Sequence, residues 1–151
     1  MKEIIRIGID PDLDKSGYCM VVKEPFGKQH VTFLKTETFF KLCESIKRKY
    51  SQSMELGSQS FIVRIEAGWL NKISNYHSSV NKAVAGRIGK NVGENHAVGK
   101  LIMQYCEENE IPYKLIKPES KKWDAKLFKQ ITGWTSRTNQ EERDAVRAAW
   151  Y

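Results

Sequence analysis

Residues 3–22 read EIIRIGIDPDLDKSGYCMVV, and the order of residue types in this stretch decides the fold. Glu3 to Ile9 alternate in part and are rich in Ile, which predicts a first strand. Asp10 to Gly17 is turn-prone, with Pro11 and Gly17 inside it, and Tyr18 to Val22 predicts a second strand. Pro25 to Gly27 punctuates the chain before His30 to Lys35, whose Val, Thr, Phe and Leu predict a third. Three short strands joined by tight connections form an antiparallel meander.

Beyond the meander the period changes. Phe39, Leu42, Cys43, Ile46 and Tyr50 recur at three- and four-residue intervals, so Phe39 to Tyr50 reads as a helix with one face on a sheet, and Ser51 to Gln59 as a polar connection. Phe61 to Ile65 is a short apolar run with the character of a buried central strand, and strand, helix, strand in that order favours an α/β sheet with a crossover. Residues 68–93 lose periodicity and read as a flexible basic region; helical spacing returns at Ala97, Leu101 and Tyr105 and lasts to Asn109. Ile111 to Ile116 predicts another strand, Ser120 to Ile131 a helix closed by Gly133, and Asn139 to Tyr151 a last helix with Asn139 as N-cap and Glu142 three residues on.

The chain has 151 residues, 40% of them hydrophobic and 28% charged, which suits one folded domain spanning residues 1–151 rather than a disordered tail. No apolar run approaches the roughly 20 residues that span a bilayer, and the N-terminus lacks the features of a secretory signal, so a cytoplasmic location without membrane partners is expected. Cys19, Cys43 and Cys106 are odd in number and match no ligand spacing, which argues against disulfides and structural zinc. With 25 Lys plus Arg against 18 Asp plus Glu, the formal charge of +7 favours an acidic partner.

Three acids occupy telling places: Asp10 after the first strand, Glu66 just beyond the fourth, and Asp144 in the first turns of the last helix. If the two strands are neighbours, their carboxylates converge at one edge of the sheet. Glu141 precedes Asp144 by three residues, so a helix sets both on one face, about 5–6 Å apart at Cβ. An all-oxygen set suits Mg²⁺, with Mn²⁺ as the alternative, and two such ions about 3.5–4 Å apart can activate water on one side of a phosphodiester and stabilise the leaving oxygen on the other. Two competing motifs fail. Asp10, Asp12 and Asp14 open like a calcium loop, but Lys15 and Val21 stand where Gly and Glu are required; Gly86, Gly89, Lys90 and Gly93 lack the phosphate-loop pattern.

The run Gly8-Ile9-Asp10-Pro11-Asp12-Leu13-Asp14-Lys15-Ser16-Gly17-Tyr18 resembles the opening motif of the RuvC-like Holliday junction resolvases, within the ribonuclease H-like superfamily. The resemblance continues at Ile65-Glu66, around Gly93 to Gly99, at Pro112 to Pro118 and at Glu141-Glu142-Arg143-Asp144-Ala145. It implies a ribonuclease H-like α/β fold, with a mixed five-stranded sheet, the first three strands antiparallel and helices on both faces. It also implies that Asp10, Glu66, Glu141 and Asp144 are catalytic metal ligands in a homodimer that nicks two strands of a four-way DNA junction. The chain departs from the family at Asp12, where Gly is common, at Cys19, and at Glu141, where Asp is usual.

Basic groups would then hold DNA, with Lys72, Arg87, Lys90 and Lys100 in one series and Lys117, Lys121 and Lys122 in a second. Lys122, Lys126 and Lys129 would share a helical face. Trp69, which stands where the family places an aromatic, and Tyr76 offer rings for stacking on a splayed base. Two other readings stay open: a related nuclease for RNA/DNA hybrids or other branched DNA, and a noncatalytic junction-binding protein.

Overall fold

The computed structural model describes residues 2–57, 59–71 and 81–151. The meander is present as β1 (Glu3–Asp10), β2 (Ser16–Lys23) and β3 (Gln29–Glu37), followed by α1 (Phe39–Leu56), β4 (Gln59–Glu66), a 3₁₀ turn (Gly68–Leu70), α2 (Lys82–Glu108), β5 (Tyr113–Ile116), α3 (Ala125–Thr132) and α4 (Gln140–Trp150). The strands lie in the order β3-β2-β1-β4-β5. β1, β2 and β3 pair antiparallel, while β4 runs parallel to both β1 and β5. This is the expected mixed sheet.

Side-chain alternation along the strands splits the core into two layers. Ile5, Ile7, Ile9, Tyr18, Phe61, Val63 and Ile65 meet Leu42 and Ile46 of α1 and Val98, Ile102 and Cys106 of α2 on one face. On the other face Cys19 and Val21 meet Trp123, Phe128 of α3, and Ala145, Val146 and Ala149 of α4. The three cysteines are buried and free. Among the described residues no helix is long and apolar enough to cross a membrane.

The strand ends shift by one or two residues from the sequence reading, with Asp10 and Glu66 the last residues of their strands, and three helix boundaries differ by more. α1 continues through the stretch read as a connection and stops at Gly57, whose φ of 64° is the left-handed conformation glycine adopts at low cost. Ser53, inside that stretch, is buried and donates its hydroxyl to the Tyr50 carbonyl at 2.7 Å. α2 begins at Lys82, capped by the Asn81 side chain on the Val84 N–H, so much of the region read as flexible is helix. Its first buried residue is Val98, and a helix touching no core leaves no apolar period to read. α3 starts five residues later than expected, at the Asp124 cap, which removes Lys122 from any helical face shared with Lys126 and Lys129.

α4 rests almost directly on the backbone of β1 and β2. A Cβ on Gly8 would lie 2.0 Å from the Ala145 carbonyl oxygen, and one on Gly17 would lie 2.2 Å from that of Glu141. The helix is held at both ends. Asn139 and Glu142 form a reciprocal capping box at its start. At its end Arg6 donates to the carbonyls of Ala149 and Trp150 at 3.5 and 3.0 Å, and Arg64 to that of Tyr151, cations where the helix dipole favours them.

Gly17→Ala is therefore expected to lower stability by about 1–3 kcal/mol, the usual range for overpacking. Gly86→Ala, in a helix interior with open space around it, is expected to raise stability by roughly 0.5–1 kcal/mol. Urea unfolding of the two variants beside the parent checks both signs.

Candidate active site

Parallel pairing sets Ile9 against Ile65, so the next residues, Asp10 and Glu66, end adjacent strands side by side. Both lie on the sheet face covered by α4, whose second turn delivers Asp144. Glu66 and Asp144 are 8% and 3% exposed. Glu141, one helical turn earlier, is exposed at the rim, and partial burial, then the charges of Asp12, Glu142 and Asp144, hold its carboxyl above the ordinary range.

Two cations compensate this cluster. Lys122 Nζ lies 2.6 Å from Asp144 Oδ2 and 3.6 Å from Glu66 Oε1. Arg147, buried one turn beyond Asp144, places Nη2 3.6 Å from Glu66 Oε2. Gln140 Nε2 donates to the other Asp144 oxygen at 2.8 Å. The Asp10 carboxylate has no hydrogen bond or ion pair among the described residues, although the Asp10 backbone ends the β1–β2 ladder opposite Gly17. Burial, then the charges of Glu66 and Asp144, push the Asp10 carboxyl up to about 8 against the opposing pull of Lys122. Burial also holds Glu66 above the ordinary carboxylate range, with Lys122 and Arg147 opposing and Asp144 adding to the rise. The Lys122 ammonium is desolvated, yet its bond to Asp144 and the charge of Glu66 raise it. Positive charge is in short supply here.

That shortage is the chemical fit to a hard divalent cation: clustered oxygen donors, one of them uncompensated, with no thiolate beside them. As the side chains stand, no three His, Cys, Asp or Glu groups among the described residues are drawn together closely enough to hold an ion. An ammonium lies between two of the carboxylates instead.

Asp12 has a different task. Its Oδ1 accepts from the backbone N–H groups of Asp14 and Lys15 at 2.8 and 3.3 Å, while Asn95 of α2 donates to Oδ2 at 3.3 Å and accepts from the Leu13 N–H at 3.0 Å. The carboxylate builds the turn after β1 and ties it to α2.

Beside the acids opens a cleft of about 320 Å³ lined by Asp10, Pro11, Glu66, Trp69, Asn95, His96 and Lys122 among others. Trp69 is half-buried, its ring 2.5 Å from where a Gly99 Cβ would stand, with Lys100 Nζ 5.8 Å from the ring centroid. Burial and the nearby Lys100 hold His96 below its ordinary value.

The expected DNA contacts are dispersed. Arg87 and Lys90 lie on the coreless first turns of α2, where Lys90 pairs with Glu94 at 3.7 Å. Lys117 lines a separate small cavity with Arg64, Glu66 and Arg147. Lys121 is exposed in the connection before α3, and Lys122 is within the acid cluster. Lys72 and Tyr76 lie outside the described residues. Sequence reasoning missed Gln140 and Arg147, although their spacing of four and three residues from Asp144 marks one helical face. His96 also carries no local sequence signal that α2 would turn it into the cleft.

No protein-family model matches this sequence, and no curated protein matches it. Among solved structures, that of RuvC from Thermus thermophilus is 15% identical, with a TM-score of 0.51 over 96% of this chain and 90% of that one. T. thermophilus RuvC in complex with a Holliday junction substrate is 14% identical, with a TM-score of 0.49 over 97% and 90% of the two chains. The yeast mitochondrial Holliday junction resolvase Ydc2 is 13% identical, with a TM-score of 0.46 over 95% and 75%. Together with the strand order, the first of these likenesses defines the fold: this chain has a ribonuclease H-like α/β fold of the RuvC type.

The raised Asp10 carboxyl sets a pH dependence. It keeps its proton to about pH 8 when folded but only to about its ordinary 3.8 when unfolded, so the folded state binds more protons between these values. This contribution to stability falls as the pH rises across that window. In a chelator, Asp10→Asn is expected to melt several degrees above the parent at pH 8 and to converge with it near pH 4, which scanning calorimetry at both pH values checks.

Proposed function

We propose that this chain is a metal-dependent endonuclease that cleaves branched DNA and resolves four-way junctions by paired phosphodiester hydrolysis as a homodimer, with Mg²⁺ or Mn²⁺ as cofactor. The observation that carries the reading is the convergence of Asp10, Glu66 and Asp144 from β1, β4 and α4 at one end of a ribonuclease H-like sheet. These three lie in the motifs that resemble the resolvases, and the whole order of elements agrees with that resemblance.

In this reading Asp10, Glu66 and Asp144 would hold the ions, with Glu141 at the rim contributing directly or through water. Divalent ions, when bound, would supply charge stabilisation at the phosphate and an activated water for in-line displacement. The chain's own part is positioning. Gly8 and Gly17 let α4 bring Asp144 down to the strand ends, Gln140 orients the Asp144 carboxylate, and Arg147 holds Glu66 from the side opposite the cleft. Trp69 and His96 form a wall against which nucleotides beside the scissile phosphate would lie. Lys100, with Arg87 and Lys90 farther along α2, would meet backbone phosphates. Two such sites in a dimer would act on symmetry-related strands.

Denaturing gels of labelled four-way junctions with Mg²⁺ or Mn²⁺ should show paired nicks near the branch, reduced in Asp10→Asn by at least about a hundredfold, equivalent to roughly 2.7 kcal/mol of transition-state stabilisation. Preferential cleavage of an RNA/DNA hybrid would sink the junction assignment, and tight junction binding without cleavage in either metal would mark a noncatalytic binder. Light scattering above and below the assay concentration should give the mass of a dimer.

Junction affinity should fall steeply with salt, and Lys100→Ala should lower the slope of log affinity against log salt by about 1 while weakening different junction sequences alike. Gel shifts at four salt concentrations measure both.

A further inference from the structure

Lys122 reaches the acid cluster because its backbone is clamped on either side. Arg147 donates to the Lys121 carbonyl at 2.9 Å, and Arg143 Nε to the Trp123 carbonyl at 3.0 Å, while the Trp123 ring is buried beside Phe128. These contacts fix the segment between β5 and α3 so that residue 122 projects towards Glu66 and Asp144. The lysine side chain itself remains 44% exposed, at the lip of the cleft. The backbone is anchored by two arginines, and the part-exposed stem carries an ammonium held by two carboxylates.

The ammonium contacts Asp144 at hydrogen-bond distance and Glu66 within ion-pair distance, bridging acids from α4 and β4. A divalent ion using both carboxylates would need the same oxygens, and like charges cannot share so small a space. We propose that Lys122 is a built-in counter-ion that occupies the cation position of the acid cluster and must be displaced for a divalent ion to bind. This rests on the metal-dependent reading above and adds a competing residue to it. The lysine holds the carboxylates together while no ion is present. On exchange its stem lets the ammonium swing outwards to the cleft mouth, where a backbone phosphate would be its next partner. The lysine thus opposes metal binding and becomes available to DNA in a single movement.

Mn²⁺ binding measured by titration calorimetry without DNA separates the two ideas. Lys122→Met and the more conservative Lys122→Gln are expected to bind Mn²⁺ at least about fivefold more tightly than the parent, the lower end of ordinary coupling between sites. Both should melt lower than the parent in chelator and recover in Mn²⁺. A second readout uses the unaltered protein: Mg²⁺ should increase the reaction of Lys122 with an amine-acylating reagent severalfold, read by peptide mass spectrometry. Equal or weaker Mn²⁺ affinity in a folded Lys122 variant, or acylation unchanged by saturating Mg²⁺, overturns the counter-ion role. If the parent binds Mn²⁺ and Asp10→Asn does not, the metal-dependent reading survives that failure. If the parent binds none, both fall.

Discussion

Everything at the candidate active site depends on how closely α4 can lie against β1 and β2. Two residues without side chains, Gly8 and Gly17, leave room for the carbonyls of Ala145 and Glu141 at distances no Cβ would tolerate. That contact sets the height of Asp144 above the strand ends. Raising the helix by the thickness of a methyl group would separate Asp144 from Glu66 and Lys122, and would also draw Arg147 away from Glu66. The capping box at one end and the two arginines at the other keep the helix from sliding along this seat.

So close an approach gathers negative charge in a half-buried place. Glu66 and Asp144 have cationic and amide partners, whereas Asp10 has none among the described residues and bears the remaining repulsion. Such a cluster weakens the fold at neutral pH, because burial and mutual repulsion disfavour the ionised carboxyls. Lys122 and Arg147 moderate the repulsion from opposite sides. Arg147 is buried, whereas Lys122 is 44% exposed at the mouth of the cleft.

The meander, the central strand and the capped last helix were legible because each has an apolar period or cap chemistry of its own. Asp10, Glu66 and Asp144 could be singled out because each stands at the end of a strand or near the start of a helix. The first half of α2 could not be read: without a buried face, its helicity depends on the Asn81 cap and on continuity with the turns that do pack. The end of α1 was obscured by serines and a glutamine that look like a loop, although Gly57 marks the true stop. Lys122 looked like one of several surface lysines, and nothing local distinguishes it from Lys126 or Lys129.

The sequence by itself determined the strands, most of the helices and which acids stand at their ends, because these follow from periodicity and from residues next to one another in the chain. Tertiary structure alone decided which charges meet. Lys122 and Asp144 are 22 residues apart, and Lys122 and Glu66 are 56 apart. Their pairing depends on strand order, on the seat that two glycines provide for α4, and on arginine contacts that clamp the segment before α3. Coulomb energy depends on distance through space, and only the folded chain sets that distance.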